Sequence, residues 1–263
     1  MLMGNPMAED QLIAQCQFKI GDQPVHAKFT VPRGSTRRRQ LLPLMQATTD
    51  LFVAAAETQE AKEGRKVSCT EGCGACCRQL VPIAPSEAHQ ITALVDGLPE
   101  PRRSQARERF AAAAQRLTES GLIDELRHPE RVVDERVIPL GVTYFWLSIA
   151  CPFLEEESCS IHADRPLACR EYLVTSAPAC CAEQAPGTVR GVHLVAKVSR
   201  VLRQMERQAY GAEASWVPLI LALEWVVGHP GEPPPRPGPE LLREFMERLT
   251  GQTIPEPPKD TRV

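Results

Sequence analysis

The chain has 263 residues with a formal net charge of -3, and 43% of its residues are hydrophobic. This length allows one large domain or two small ones with an ordinary apolar core, so burial alone can stabilise much of the fold without metal. The near-neutral charge argues against a polyanion ligand, and the one tight basic run, Arg37 to Arg39, is typical of a solvated surface. We therefore predict no nucleic-acid partner.

The first residues and the most apolar stretch both predict a cytoplasmic protein with no membrane partner. Residues 1–12 lack a basic segment followed by an apolar one, and Glu9 and Asp10 stand where a signal peptide would be apolar. The stretch 215–228 contains Pro218 and Glu224, and it is shorter than the roughly 20 apolar residues that a spanning helix needs.

The first predicted element is a β-hairpin. Residues 16–31 alternate apolar and polar side chains around Gly21 and Asp22, which is the pattern of two antiparallel strands joined by a turn. Cys16 belongs to this alternation, so we expect a small buried side chain there and no metal ligand. Residues 1–34 are predicted to form an N-terminal hairpin segment.

Helical periodicity dominates the rest of the chain, and neither an internal repeat nor a βαβ alternation is visible. The predicted fold class is mainly α with a short N-terminal β-hairpin, and with an irregular cysteine-rich metal-binding core packed on helices. Predicted helices cover residues 35–63, 88–95 after a start at Pro85, 101–117, 189–210, 216–227 and 241–249. The predicted segments after the hairpin are a cysteine-cluster metal-binding domain at 35–186, a helical extension at 187–228, and a Pro-rich linker, short helix and tail at 229–263.

The first dense group of cysteines is SCTEGCGACC at residues 68–77, which holds four of the ten cysteines of the chain. A disulfide, a redox pair, a zinc site and an iron–sulfur cluster all use cysteine. In a reducing compartment such a pattern indicates metal binding or catalysis before it indicates disulfides. The candidate ligands here are Cys69, Cys73, Cys76 and Cys77.

A second group of cysteines follows about 75 residues later, as read from the sequence numbering. Cys151, Cys159 and Cys169 lie within CPFLEEESCSIHADRPLACREY, and Cys180 and Cys181 follow as additional candidates whose role stays open. A tetrahedral zinc ion takes four ligands, so the two groups together exceed one mononuclear site. Two metals, one cluster, or a site with spectator thiols all remain open at this point.

Local sequence supports thiolate ligation at both groups. Gly72 and Gly74 would let the backbone wrap around an ion, because glycine accepts a positive φ without steric cost. Asp164 is expected to cap a helix whose first turn holds Pro166 and which carries Cys169. Arg165 and Arg170 would then offset thiolate charge, or else form an ordinary salt-bridged helix face.

These motifs resemble the YkgJ-type cysteine-cluster family, a zinc- or iron-chelating domain. The resemblance rests on Cys69-x3-Cys73-x2-Cys76-Cys77, on CPFL from Cys151, on CSI from Cys159 and on DRPLACR ending at Arg170, and it covers residues 66–172. It implies metal chelation without a settled reaction. The residues implied as metal ligands are Cys69, Cys73, Cys76, Cys77, Cys151, Cys159 and Cys169.

Two enzymatic alternatives stay open beside metal chelation. One relative, flagellin lysine N-methylase, suggests a protein-modifying enzyme, although this chain shows no glycine-rich nucleotide loop. The spacing of Cys69, Cys73 and Cys76 is also that of radical S-adenosylmethionine enzymes. Ala75 stands where that motif usually has an aromatic residue, and the repeated βα units of the corresponding barrel are missing from the sequence.

The metal itself is left open between zinc and an iron–sulfur cluster. Closely spaced thiols as in residues 69–77 are more typical of ferredoxin-like runs than of the two separated pairs of a zinc ribbon, which favours iron slightly. His162 follows Cys159 at the spacing of a zinc half-site, but the resemblance commonly places an aromatic residue there, so we expect a packing or hydrogen-bonding role. The predicted partner is thus a metal ion or cluster, and no protein partner is indicated.

Overall fold

The structure is a computed structural model that describes residues 11–20, 23–183, 187–210 and 216–254. Strands β1 (Gln11–Ile20) and β2 (Gln23–Pro32) pair antiparallel in a continuous register from Gln11 opposite Pro32 to Ile20 opposite Gln23. This confirms the predicted hairpin. Its turn at 21–22 and the side chain of Cys16 lie outside the described part, so the expected burial of Cys16 stays a prediction.

The remaining elements are mostly helices, which confirms the predicted fold class. Short antiparallel pairs, each two residues long, join β3 (Ser35–Thr36) to β8 (Arg236–Pro237), β4 (Pro82–Ile83) to β7 (Val217–Pro218), and β5 (Leu154–Glu155) to β6 (Ser158–Cys159). The helices are α1 (Leu42–Lys62), α2 (Pro85–Asp96), α3 (Arg102–Glu119), α4 (Ile123–Arg127), α5 (Asp134–Trp146), α6 (Leu167–Arg170), α7 (Pro178–Glu183), α8 (Val198–Tyr210), α9 (Ala222–Gly228) and α10 (Gly238–Thr250). Across the described ranges, no helix has the length and apolar character that a bilayer crossing needs.

Three of the predicted helices begin later than the sequence suggested. The helix predicted over 35–63 opens as strand β3 and a 3-10 turn at 38–41, and α1 begins at Leu42. The helix predicted over 189–210 begins only at Val198, because residues 190–192 pair as extended chain with the segment after Tyr172: Thr175 N–H donates to Arg190 O at 2.9 Å and Val192 N–H donates to Leu173 O at 2.8 Å. The helix predicted over 216–227 opens as strand β7 and a 3-10 turn, and α9 begins at Ala222.

Helices α4 and α5 lie where no helix was predicted. Pro139 stands inside α5, and a proline in a helix interior removes one backbone hydrogen bond and usually ends the helix. The tertiary contacts of Leu140 and Tyr144, which are both buried, supply the stabilisation that the local sequence does not indicate.

One apolar core joins parts of the chain that are far apart in sequence. Phe29 of the hairpin, Met45 of α1, Leu167 of α6, Leu202 of α8 and Phe245 of α10 are all buried in it. All four predicted segments contribute to this core. The segment boundaries at 34, 186 and 228 stay a prediction. Residues from both sides of each boundary are buried in the same core.

A second apolar core places the later cysteine group. Phe153 and Ile161 are buried against α2 and α3, where Phe110 meets Phe153 edge to face at 5.5 Å between ring centroids. Cys151 and Cys159 are partly buried against the same core. Their backbone positions therefore follow from apolar burial around them.

Buried carboxylates connect the helices around these cores. Glu87 of α2 accepts hydrogen bonds from Ala84 N–H and, with its other oxygen, from Leu167 N–H, both at 2.8 Å. Glu171 accepts from the backbone N–H and the hydroxyl of Ser199 at 2.8 and 2.6 Å. Since each carboxylate binds donors at the start of a helix, it both satisfies the helix end and fixes where that helix lies.

Candidate metal centre

The two cysteine groups meet at one cavity of about 400 Å³. Both groups contribute free thiols, and none of these cysteines is in a disulfide. The fold thus brings together thiols that are up to 100 residues apart in the chain, Cys69 and Cys169. The predicted ligands that line the cavity are Cys69, Cys73, Cys76, Cys77, Cys151, Cys159 and Cys169.

The first cysteine segment is a chain of tight turns. Cys73 N–H donates to Thr70 O at 3.1 Å and Cys77 N–H donates to Gly74 O at 2.9 Å. Gly72 has a φ of 87°, in the left-handed region that side chains disfavour. The expected use of glycine for wrapping is therefore correct at Gly72.

Gly74 serves a different purpose from Gly72. Its φ is not positive, but a Cβ placed there would lie 2.4 Å from Glu157 O and 2.6 Å from Leu154 Cδ1. The absence of a side chain lets the first cysteine segment approach the β5–β6 turn closely. This corrects the prediction that both glycines act through backbone freedom.

The two cysteine groups are also joined through the backbone. Cys151 N–H donates to Cys77 O at 2.7 Å, and the β5–β6 pair places Leu154 opposite Cys159. Because this hydrogen bond joins the end of one cysteine segment to the start of the other, the two segments form adjoining parts of one wall.

Cys169 lies on α6, but the cap of that helix is not the predicted one. Asp164 ends a separate 3-10 turn at 162–164, and Pro166 precedes α6 without a side-chain cap. Glu87, 80 residues upstream, accepts the hydrogen bond from Leu167 N–H. The start of the Cys169 helix is thus fixed by a buried carboxylate from α2.

Cys69 is tied to the segment that follows α6. Ser68 N–H donates to Val174 O at 2.9 Å, and Val174 N–H donates to the Cys69 sulfur at 3.3 Å. A backbone N–H aimed at sulfur stabilises the thiolate form of cysteine. The Val174 N–H therefore favours the thiolate of Cys69, which is the form of cysteine that binds metals.

Burial dominates the protonation of the cavity thiols. It raises the pKa of Cys151 to about 12 and raises the pKa values of Cys159 and Cys169. A hydrogen bond with Cys77, together with burial, raises the pKa of Cys76. For Cys69 burial raises the pKa, while the Val174 N–H and Arg165 act in the opposite direction. Burial therefore favours the neutral thiol at these five cysteines, and a bound cation would be needed to favour their thiolates.

The two arginines near Cys169 have different roles. Arg165 lines the cavity, its charge favours the thiolates of Cys69 and Cys159, and its buried Nε has no hydrogen-bond partner among the described residues. Arg170 is buried, donates from Nε to Arg165 O at 3.1 Å, and forms an ion pair with Asp50 at 3.0 Å. Arg165 therefore suits the charge-offsetting role, whereas Arg170 anchors the backbone beneath it.

The remaining candidates divide around the cavity. His162 lines it, half-buried. Cys181 is buried and hydrogen-bonded to the hydroxyl of Tyr172, and neither Cys181 nor Cys180 is among the lining residues. Tyr172 lines the cavity and also accepts a hydrogen bond from Gln79 Nε2 at 3.0 Å. Burial raises the pKa of Cys181, and the charges of Cys69, Cys73 and Cys76 nevertheless reach it and raise its pKa further. A ligand role for Cys181 therefore stays a prediction, as does one for Cys180.

In the described part of the chain, no group of three or more His, Cys, Asp or Glu side chains is arranged to hold a metal ion. The seven thiols share a cavity but do not yet surround one point. Their chemistry fits zinc or iron, because both metals accept thiolate ligands, and closing around a metal would require side-chain rotations of the cysteines.

Sequence reasoning did not identify the polar residues that complete the lining. These come from residues 171–203 and carry no motif, so only their position in the fold reveals them. They are Glu171, Tyr172, Lys197, Ser199 and Arg203.

Comparison with known proteins gives one match. Residues 68–186 match the family model CxxCxxCC, described as "Putative zinc- or iron-chelating domain". No curated protein and no solved structure matches this chain. The matched segment contains all seven cavity cysteines, in agreement with the resemblance seen in the sequence. Residues 68–186 are therefore similar to the CxxCxxCC family of zinc- or iron-chelating domains, and the match covers less than half of the chain.

Proposed function

We propose that this chain binds zinc or iron through the seven cavity cysteines, and that iron in an iron–sulfur cluster is the preferred occupant. The observation that carries the proposal is the convergence of seven free thiols from two distant stretches of chain on one cavity. Structural cysteines buried for packing have no reason to gather in this way.

The number of thiols supports more than one metal. A tetrahedral ion takes four ligands, and a cubane cluster is likewise held by four cysteines. Seven thiols around one cavity exceed either requirement. Because Cys151 and Cys77 are joined through their backbones, two metals or a cluster with an extra metal would be neighbours in one centre.

The lean toward iron rests on the spacing of the first segment. Cys69, Cys73, Cys76 and Cys77 lie within nine residues, which resembles ferredoxin-like runs. Cys76 and Cys77 both line the cavity although they are adjacent, so a cluster with several metal positions accommodates the pair more readily than one ion. A cluster would supply one-electron redox chemistry, whereas zinc would supply a structural or Lewis-acid centre.

Arg165 completes the proposed centre. Several thiolates around a metal carry net negative charge, and a nearby guanidinium offsets it. The unpartnered buried Nε of Arg165 gives this residue a donor that thiolate sulfur can accept from.

The test is metal content per chain after anaerobic purification, with Cys169→Ser as the ligand variant and Cys180→Ser as the matched control. Cys169 lines the cavity and Cys180 does not. We expect iron and acid-labile sulfide in the unmodified protein, a brown colour that bleaches with dithionite, loss of metal in C169S, and unchanged metal in C180S.

Two results would contradict parts of this proposal. A colourless protein with near-stoichiometric zinc would overturn the preference for iron and leave the cysteine site. Equal metal content in C169S and C180S would contradict the ligand assignment itself.

A further inference from the structure

The cavity is larger than its cysteine wall. Its volume of about 400 Å³ lies in the range of small-molecule sites, about 300–1,000 Å³. Most of the lining is not cysteine, and its partly exposed apolar side chains include Val53, Leu80 and Val81. The space therefore suits an organic molecule beside the metal centre.

A cationic region borders the same space. Lys197 lies just before α8, and Ser199 and Arg203 lie four residues apart on one face of that helix. Arg203 Nη1 donates to Pro82 O at 3.0 Å. Within the described residues Nε and Nη2 make no further hydrogen bond, so both can donate to a ligand. Lys197 is exposed at the cavity edge.

Glu171 is the buried carboxylate in this lining, and it offsets part of the cationic charge. It interacts with both Lys197 and Arg203, and its two oxygens accept hydrogen bonds from Ser199; buried Glu87, outside the lining, also faces Arg203. Glu57 and Glu71 also line the cavity, but both are exposed to solvent, where charge is strongly screened. A ligand anion would therefore meet three lining cations, Arg165, Lys197 and Arg203, against one buried lining carboxylate.

We propose that the cavity binds a small amphipathic organic acid, with its carboxylate at Lys197 and Arg203 and its hydrocarbon part against Leu80 and Val81. This inference deepens the proposed function, on which it rests, because it places an organic ligand beside the cysteine metal centre. Cationic groups at one end and apolar groups along the wall are the features that orient such a ligand.

The test compares hexanoate with its neutral counterpart hexanamide, using the full purified chain and isothermal calorimetry. We expect hexanoate to bind at least about tenfold more tightly than hexanamide, because charge-assisted hydrogen bonds are the stronger ones. Lys197→Gln should remove about tenfold of the hexanoate affinity. Arg200→Gln removes the same charge from an exposed position of α8 outside the cavity, and should leave the affinity unchanged.

Arg203→Gln is a second variant, expected to weaken hexanoate more than K197Q does. Arg203 also holds Pro82 O, so K197Q, at an exposed position, keeps the test valid if R203Q does not fold. Equal affinities for acid and amide, no binding of either, or equal losses in K197Q and R200Q would overturn the inference.

Metal content measured on the same samples separates the two proposals. Full metal without preference for the acid overturns the organic-acid site and leaves the metal proposal intact. A clear preference for the acid in protein that takes up neither zinc nor iron supports the anion site and overturns the metal proposal.

Discussion

The cysteine segments 69–77 and 151–169 line the same cavity, yet they are held in place by different interactions. The later segment is interleaved with Phe153, Ile161 and Leu167, which are buried in two apolar cores. In the earlier segment only Gly74 is buried, and the backbone is a series of turns. Apolar burial thus supports the later part of the wall, whereas the earlier part is held by turns and by hydrogen bonds to neighbouring segments, such as Cys151 N–H to Cys77 O.

This difference indicates which segment a bound metal would stabilise most. Metal binding at a site that links an ordered segment to a weakly supported one adds folding free energy mainly to the weak segment. Three experiments test whether the two segments differ in this way.

Removal of metal should expose the earlier segment far more than the later one. We expect backbone amides of residues 69–79 to lose most of their hydrogen-exchange protection in chelator, because turns without buried side chains open locally. Amides around Phe153 and Leu167 should keep most of theirs. Mass-spectrometric exchange with and without chelator measures this, and equal loss in both segments would contradict the proposed asymmetry.

Gly74→Ala should separate the two segments at their closest approach. The new Cβ would meet Glu157 O at 2.4 Å, and relief requires a backbone shift, since the neighbour is itself backbone. We expect destabilisation by about 1–3 kcal/mol, as for overpacked cores, together with weaker metal retention.

Gly141→Ala is the matched control for G74A. A Cβ at Gly141, within α5, has no heavy atom within 4 Å, so G141A should leave urea unfolding nearly unchanged or slightly stabilise the protein. If G74A unfolds at the same urea concentration as G141A and retains its metal, the close approach is not needed for the site.

Glu87→Gln should weaken the support of the later segment without touching a cysteine. An amide offers one acceptor oxygen where the carboxylate serves both Ala84 N–H and Leu167 N–H, so one helix start loses its partner. We expect a loss of about 1–2 kcal/mol, the usual cost of a lost helix cap, measured by urea unfolding.

The control for E87Q is Glu108→Gln, at an exposed position of α3. E108Q should change the unfolding free energy by less than about 0.5 kcal/mol. Identical unfolding curves for E87Q and E108Q would show that the Glu87 carboxylate does not fix α6.

Local patterns in the sequence were sufficient to predict the hairpin, most of the long helices and the residue types of the candidate site. Alternation with period two and spacing near 3.6 report how neighbouring side chains share a face, so β1, β2, α1, α3 and α10 could be predicted. The clustering of Cys69 to Cys77 indicated metal chemistry, because closely spaced thiols are typical of metal ligands.

The tertiary structure decided everything that depends on contacts between distant residues. Glu87 accepts the hydrogen bond at the start of α6 that Asp164 was expected to accept. Gly74 lacks a side chain where the backbone of Glu157 comes close. Residues 190–192 pair with Leu173 and Thr175 where a helix was predicted. Lys197 and Arg203 carry no motif that would reveal them. Local periodicity cannot report these features, since hydrogen bonds and steric contacts between separate segments, such as those of Glu87 and Leu167, exist only once the chain has folded.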